Sequence, residues 1–480
     1  MQRIQNFIDG QYLDAQELGW LDNYNPATGK VYSMIADSNE ADIELAYAAA
    51  KAAQKDWENT SSENRFKILN RIAELIDINN TEFAKAESID QGKPFWLAKN
   101  EITRAAQNFR FFATSAMQFS SESHQMEGFA INYTLRQAIG VVGCISPWNL
   151  PLYLFSWKIA PALATGNCVI AKPSEITPMT ASLLGKICNE AGLPKGVLNI
   201  VHGLGPKVGN AMVSHPKIKA ISFTGGTSTG KHIASIAAPM FKKLSLELGG
   251  KNPNIIFADC DLEKAVKTSV QSSFLNQGEI CLCGSRILVQ KSIFESFKTA
   301  FLEEIKKLKV GNPLNDDTKV GAIVSKMHFD KVLSYIELAK QEGGKILAGG
   351  HSVQLEDDLK DGWYIAPTVI VNLSYDCRTN QEEIFGPLVT LTPFDTEEEA
   401  LTMANSTEYG LACSVWTNDL NKAHRVAASI ESGIVWINCW LLRDLRTPFG
   451  GVKYSGVGRE GGLEAMRFFT EPKNVCIKYN

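Results

Sequence analysis

What the chain lacks sets the first limits. Across 480 residues no run reaches the ~20 consecutive apolar positions of a membrane span. The richest stretch, 150–163, is broken by Lys158 and by prolines. The opening residues carry Asp9 where a secretory signal would be apolar, so a cytoplasmic location is expected. Net charge is small: 48 Lys and Arg against 52 Asp and Glu leave −4, with no basic block. Nucleic acid and acidic membrane surfaces are therefore not expected partners. Seven histidines and ten cysteines form no His-x-x-x-His and no Cys-x-x-Cys, so no metal is expected. The scattered cysteines read as reduced thiols and not as a disulfide framework.

What is present is an ordinary globular composition, 45% hydrophobic and 21% charged. The chain exceeds the ~250–300 residues at which single cores stop growing, so two domains are expected. Residues 4–35 read as short strands and turns. Apolar spacing predicts helices over 41–57 (capped by Asp37 or Ser38), 63–79 and 96–119. Alternation over 128–138 predicts a strand leaving the main body. From 139 onward short apolar runs alternate with helical segments, and the alternation repeats from about 250 to 450. That pattern is α/β, built of parallel βαβ units, with ligands bound beyond the carboxyl ends of the strands. Residues 474–478 read as an exposed strand able to pair with another subunit.

The chemistry centres on residues 276–286, Asn-Gln-Gly-Glu-Ile-Cys-Leu-Cys-Gly-Ser-Arg. Cys281 lies in a turn-prone segment between Gly278 and Gly284, where backbone N–H groups can solvate an oxyanion. A lone cysteine is far more often packing than nucleophile, so Cys281 needs partners; Cys283 is read as packing. Asn149, in Ser146-Pro-Trp-Asn-Leu-Pro, is held between prolines with its amide free to donate. Glu247, in Leu244-Ser-Leu-Glu-Leu-Gly-Gly, is a carboxylate at an apolar strand end. Desolvation there raises its pKa toward that of a general base. Glu383-Ile-Phe385-Gly-Pro places an acid and an aromatic before a tight turn. Gly225-Gly-Thr-Ser-Thr-Gly-Lys231 matches most of a phosphate loop, but His232 stands where a hydroxyl should reach Mg²⁺. A glycine-rich turn receiving a dinucleotide pyrophosphate at a helix N-terminus fits better.

Together these segments resemble the aldehyde dehydrogenase superfamily, from Phe7-Ile-Asp-Gly to Pro448-Phe-Gly-Gly-Val-Lys-Tyr-Ser-Gly-Val-Gly-Arg-Glu. The resemblance implies a Rossmann-like NAD-binding domain (1–118 and 139–249) and a second α/β catalytic domain (250–450). It also implies a small β oligomerisation segment (119–138 and 463–480) and a homodimer or homotetramer. It implies Cys281 as nucleophile, Glu247 as general base and Asn149 as oxyanion donor. Lys172 and Glu175 match the positions that hold the adenosine ribose, and Glu383 the nicotinamide ribose. Phe385 matches the aromatic beside the nicotinamide; Trp148 and Gly225 match further cofactor contacts. Gly226 departs from the serine usual there and removes a hydroxyl contact to the pyrophosphate. Glu175 points to NAD over NADP, because a carboxylate repels a 2′-phosphate.

Within the superfamily, 276–283, Gln107-Asn-Phe-Arg-Phe-Phe-Ala and Trp436-Ile-Asn-Cys-Trp-Leu-Leu-Arg are similar to the branch that oxidises 2-amino- and 2-hydroxymuconic semialdehydes. That branch implies two arginines on the substrate carboxylate, here Arg104 and Arg443, since guanidinium forks bind carboxylates bidentately. The Glu-Ile-Thr-Arg context of Arg104 departs from the branch, and Arg110 and Arg446 are alternatives. The other readings are a general aldehyde dehydrogenase and a CoA-acylating semialdehyde dehydrogenase. The second would need Glu247 idle.

Overall fold

The computed structural model describes residues Met1 to Asn480. Two mainly parallel sheets organise it. The first runs Gly456–Val457, Lys243–Glu247, Ala220–Thr224, Val141–Ile145, Cys168–Lys172, Leu198–Ile200, Asn6–Ile8, Gln11–Leu13. Its five central strands are parallel, and both edges add antiparallel strands. From Val141–Ile145 the chain winds outward one way through Cys168–Lys172, then returns to wind the other way through Ala220–Thr224. Strand order therefore reverses between Val141–Ile145 and Ala220–Thr224, and such a switch point opens a ligand crevice at the carboxyl ends.

The second sheet runs Lys345–Ala348, Thr368–Val371, Leu388–Phe394, Arg286–Gln290, Pro253–Ile256, Ala412–Trp416, Ile434–Ile437. Only its first pair is antiparallel. Each sheet has its own core, one around Phe109, Trp157 and Val169, the other on both faces of the second sheet. A third, three-stranded sheet joins Ser123–Met126, Ala130–Ala138 and Thr470–Lys478. No helix is long and apolar enough to cross a membrane.

Several local expectations change. The first helix, Glu40–Asn59, is capped by Asn39, whose side chain accepts from Ala41 while Asp42 reaches back, and not by Asp37 or Ser38. A helix absent from the sequence reading, Asn80–Gln91, follows Ser62–Ile78 directly. Its buried face mixes Phe83 and Ala84 with Glu87, Ser88, Asp90 and Gln91, too few apolar positions for spacing to mark it. The C-terminal strand Thr470–Lys478 pairs along its length with this chain's own Ala130–Ala138, leaving only its outer edge for another subunit. Helix Gly462–Phe468, expected with that segment, instead packs Ala465 and Met466 into the first core.

Helix Pro151–Ala164 carries the fold's link to chemistry. All fourteen residues are buried, all but Ser156 and Lys158 are apolar or aromatic, and Pro151 starts it at a position where its missing N–H costs nothing. It packs against the long helix Phe95–Gln118. Asn149 lies just before its first turn.

Candidate active site

Cys281 sits where two cavities meet. One, about 230 Å³, lies at the switch point of the first sheet and is lined by Trp148, Asn149, Thr224, Gly225, Glu383 and Phe385, among others. The second, about 210 Å³, is lined by Glu247, Tyr153, Arg104, Arg443 and a ring of apolar side chains. Cys281, Thr224 and Leu248 face both. A thiol in that position can meet a group from either side.

The turn before Cys281 is held under strain. Asn276, Gln277 and Gly278 are consecutive left-handed residues, φ 52°, 56° and 75°. Left-handed side chains persist only where their surroundings fix them. Asn276 Nδ2 donates to the carbonyls of Asn149 (3.1 Å) and Glu279 (3.2 Å). The Gln277 amide joins Ala322 and Gly321. A Cβ on Gly278 would lie 2.3 Å from the Gly386 carbonyl, so only glycine fits. Burial, then Glu383 and Glu247, push the Cys281 thiol up to about 12; Arg443 acts the other way.

Asn149 is buried, and its side-chain Nδ2 donates to the Glu279 carbonyl at 2.9 Å. The amide expected to be free is thus anchored, with one of its two hydrogens left over. Its main-chain carbonyl also accepts from Lys93 Nζ at 3.0 Å. Lys93 is buried with Glu87, 3.1 Å away, and Glu101, which it also contacts. Burial acts against the Lys93 charge, but Glu101 and Glu87 outweigh it and hold its pKa up. Burial raises Glu101 to about 8.

Glu247 closes the strand Lys243–Glu247 and is buried, with neither carboxyl oxygen hydrogen-bonded. Burial, reinforced by Glu460, raises its pKa well above the carboxylate range. Glu460 is itself paired with Lys158 Nζ (2.7 Å) and accepts from Ser222 (3.1 Å). Lys158 and Glu460 stand 302 residues apart, and sequence reasoning missed both as members of the site.

On the switch-point side, the Glu383 carboxylate accepts from Gly250 N–H at 2.8 Å. A Cβ on Gly249 would sit 2.3 Å from Glu383 Oε2. Phe385 is left-handed (φ 65°), its ring edge-on to Trp148 at 5.2 Å. His328, missed in the sequence, donates from Nε2 to the Phe385 carbonyl at 2.6 Å and packs on Trp148. Burial lowers its pKa to about 4, so the ring is neutral. Gly225 and Gly226 precede helix Thr227–Ala237. A Cβ on Gly226 would meet nothing, so the space for a serine is present but unused. Lys231 turns away, its ammonium 3.7 Å over the Tyr454 ring, which leaves no phosphate-loop lysine. Lys172 and Glu175 are ion-paired at 2.9 Å outside this cavity, at the end of the neighbouring strand. Burial acts upward on Glu175, but Lys172 outweighs it and keeps the carboxylate charged.

The arginines divide cleanly. Arg110 pairs with Asp77 and Arg446 with Asp444, both on the surface. Arg104 and Arg443 have no carboxylate partner and line the second cavity. Arg443 lies over Phe449 (4.0 Å) and Trp157 (5.0 Å), Arg104 over Tyr153 (5.2 Å). Aromatic faces hold both cations beside the cavity, and both reach the Tyr153 hydroxyl, Arg443 Nη1 at 2.8 Å and Arg104 Nη2 at 3.5 Å.

Comparison with known proteins agrees with this geometry. Residues 12–475 match the model of the aldehyde dehydrogenase family. The 2-aminomuconic semialdehyde dehydrogenase of Mus musculus is 49% identical, covering 99% of this chain and 98% of the relative. The 2-hydroxymuconic semialdehyde dehydrogenase of Pseudomonas sp. (strain CF600) is 44% identical over the full length of both. The NAD+ complex of an aldehyde dehydrogenase from Bacillus cereus superposes with a TM-score of 0.97 at 38% identity, covering 100% of this chain and 97% of that one.

Proposed function

The chain belongs to the aldehyde dehydrogenase family, and from that premise we propose that it oxidises an aldehyde with a carboxylate at its far end, of the muconic semialdehyde type, to the dicarboxylic acid. The observation that carries the substrate class is the pair Arg104 and Arg443. Neither is ion-paired, and both line the cavity that also holds Cys281 and Glu247. A guanidinium held by rings and facing a cavity is built to receive an anion.

The cofactor is NAD. The switch-point cavity suits it: Glu383, fixed by Gly250, suits a ribose, and Trp148 with Phe385 and His328 edge-on to it forms an aromatic wall. Gly225 and Gly226 at a helix N-terminus suit a pyrophosphate, and the Lys172–Glu175 pair at the next strand end suits the adenosine ribose. When bound there, NAD supplies the hydride acceptor.

The chain's own residues do the rest. The Cys281 thiol gives up its proton to solvent water and its sulfur adds to the aldehyde carbon, turning the carbonyl oxygen into an oxyanion. The remaining Asn149 N–H receives that charge, a contribution of roughly 3–4 kcal/mol for one preorganised donor. Loss of hydride leaves a thioester on Cys281. Glu247 takes a proton from water, the hydroxide adds, and the Cys281 thiolate leaves. The buried Glu460–Lys158 pair acts on the Glu247 charge in opposite senses, Glu460 raising its pKa and Lys158 lowering it.

We divide the chain into a dinucleotide-binding body around the first sheet and a catalytic body around the second. The open outer edge of Thr470–Lys478, with exposed Ile477, Phe129 and Met126 on the same small sheet, supports a homodimer or homotetramer joined there. Ten unpaired cysteines suit the reducing cytoplasm. The test is NADH formation with a muconic semialdehyde and with a plain aliphatic aldehyde, in the parent and in Arg443→Ala. The expected result is a preference for the acid aldehyde that Arg443→Ala loses through a raised KM. Equal treatment of both aldehydes by both proteins would leave a general aldehyde dehydrogenase.

A further inference from the structure

We propose that Tyr153 is a specificity-determining residue whose phenol O–H is a third donor to the substrate carboxylate, beside Arg104 and Arg443. The inference rests on the substrate class proposed above and adds a residue to it. Arg443 Nη1 donates to the Tyr153 hydroxyl at 2.8 Å, and Arg104 Nη2 approaches it at 3.5 Å. A phenol oxygen has lone pairs to accept with and one hydrogen to give. Both neighbours are pure donors, so that hydrogen cannot point at either of them. It is left to face the cavity that Tyr153 lines.

The ring cannot swing away to serve another purpose. Tyr153 is buried, and its main-chain carbonyl accepts from Asn108 Nδ2 (3.1 Å) and Ser156 Oγ (2.8 Å). Arg104 and Asn108 are one turn apart on helix Phe95–Gln118, so one helix grips both the ring and the backbone of Tyr153. Two like-charged guanidiniums converging on one neutral oxygen are a poor arrangement in themselves; a carboxylate inserted among them satisfies all three donors. Tyr153 also lies four residues after Asn149, on the first turn of helix Pro151–Ala164. The donor for the aldehyde end and the donor for the carboxylate end are therefore carried by one rigid helix start. Their separation selects a substrate by the distance between its two ends.

The experiment is Tyr153→Phe, which keeps the ring and removes only the hydroxyl. Steady-state kinetics with NAD would compare a muconic semialdehyde with a plain aliphatic aldehyde, alongside adipate as a competitive inhibitor. Loss of a hydrogen bond to a charged group predicts a fall of about ten- to a hundredfold in the ratio of kcat/KM for the acid aldehyde over the plain one. The fall should come through KM, with adipate inhibition weakened by a similar factor. An unchanged ratio in Tyr153→Phe, with the ratio lost in Arg443→Ala, would overturn the role of Tyr153 and leave the substrate class standing. An equal loss on both aldehydes would show a purely structural tyrosine and overturn it too. A parent with no preference for the acid aldehyde would remove the premise, and the proposal with it.

Discussion

Replacing Lys93 by methionine isolates the buried support under the oxyanion donor. Lys93 is the only cation shown on Glu87 and Glu101, and it donates to the Asn149 carbonyl. Removing one member of a buried ion cluster leaves uncompensated charge, typically 3–5 kcal/mol. The loss must depend on pH, and its sign is fixed. Without Lys93 the carboxyls enter the folded state neutral, while in the unfolded chain they ionise near the ordinary ~4.3. Keeping one carboxyl neutral costs about 1.4 kcal/mol per pH unit above that value, so about 1.6 kcal/mol near pH 5.5 and about 4 near pH 7.5. Glu101 is already raised to about 8 by burial in the parent, so the added cost falls mainly on one further carboxyl. A raised folded pKa gives stability that is lost as pH rises, so the variant should lie about 1.6 kcal/mol below the parent near pH 5.5 and about 4 kcal/mol below it near pH 7.5. Denaturant midpoints at the two pH values measure this. Adding Glu87→Gln and Glu101→Leu should recover most of the loss, because Gln can still accept from Leu152 N–H as Glu87 does (3.2 Å). A gap below about 1 kcal/mol and equal at both pH values would refute the argument.

Asn149→Ala should lower kcat by about 10²–10³ with the fold intact, measured by initial rates beside a melting curve; a loss under tenfold would mean the oxyanion is held elsewhere. Gly249→Ala should raise the KM for NAD sharply, because the new Cβ displaces the Glu383 carboxylate from 2.3 Å; unchanged NAD kinetics would put Glu383 outside the cofactor site. Burial raises Cys281 to about 12 and raises Glu247 as well, so it works against the ionised form of both groups in the free site. The rate should therefore climb with pH through the neutral and mildly alkaline range. Arg443 lowers both groups, so Arg443→Ala should move the acid limb to higher pH, read from kcat/KM profiles with a plain aldehyde; an unmoved limb would show Arg443 electrically remote.

Much of the site was legible because its signals are local. Asn149, Glu247, Cys281 and Glu383 each sit in a short stretch of turn-forming or apolar residues whose chemistry can be read in sequence. The strands of the first sheet emerged from apolar runs for the same reason. Signals failed where burial is polar or partners are distant. Helix Asn80–Gln91 hides because Glu87, Asp90 and Gln91 are core residues satisfied by Lys93, Tyr32 and Glu279. Strand Leu388–Phe394 is masked by Pro393, which pairs with Val289 on one side. Its other neighbour reaches only to Thr390, so the missing N–H breaks no ladder there. Arg104 could not be told from Arg110 in sequence, since what separates them is Asp77, a residue on another helix. Tyr153 carried no signal either; its meaning comes from Arg443, 290 residues away.

The central claim is that Cys281 carries the acyl group and Glu247 releases it. The most direct measurement is the intact mass of Glu247→Gln after mixing with NAD and a muconic semialdehyde, with the modified peptide then located. A burst of about one NADH per chain is expected, followed by a stable mass gain of one acyl group on Cys281. Turnover without any adduct, or an adduct on Cys283 instead, would contradict it.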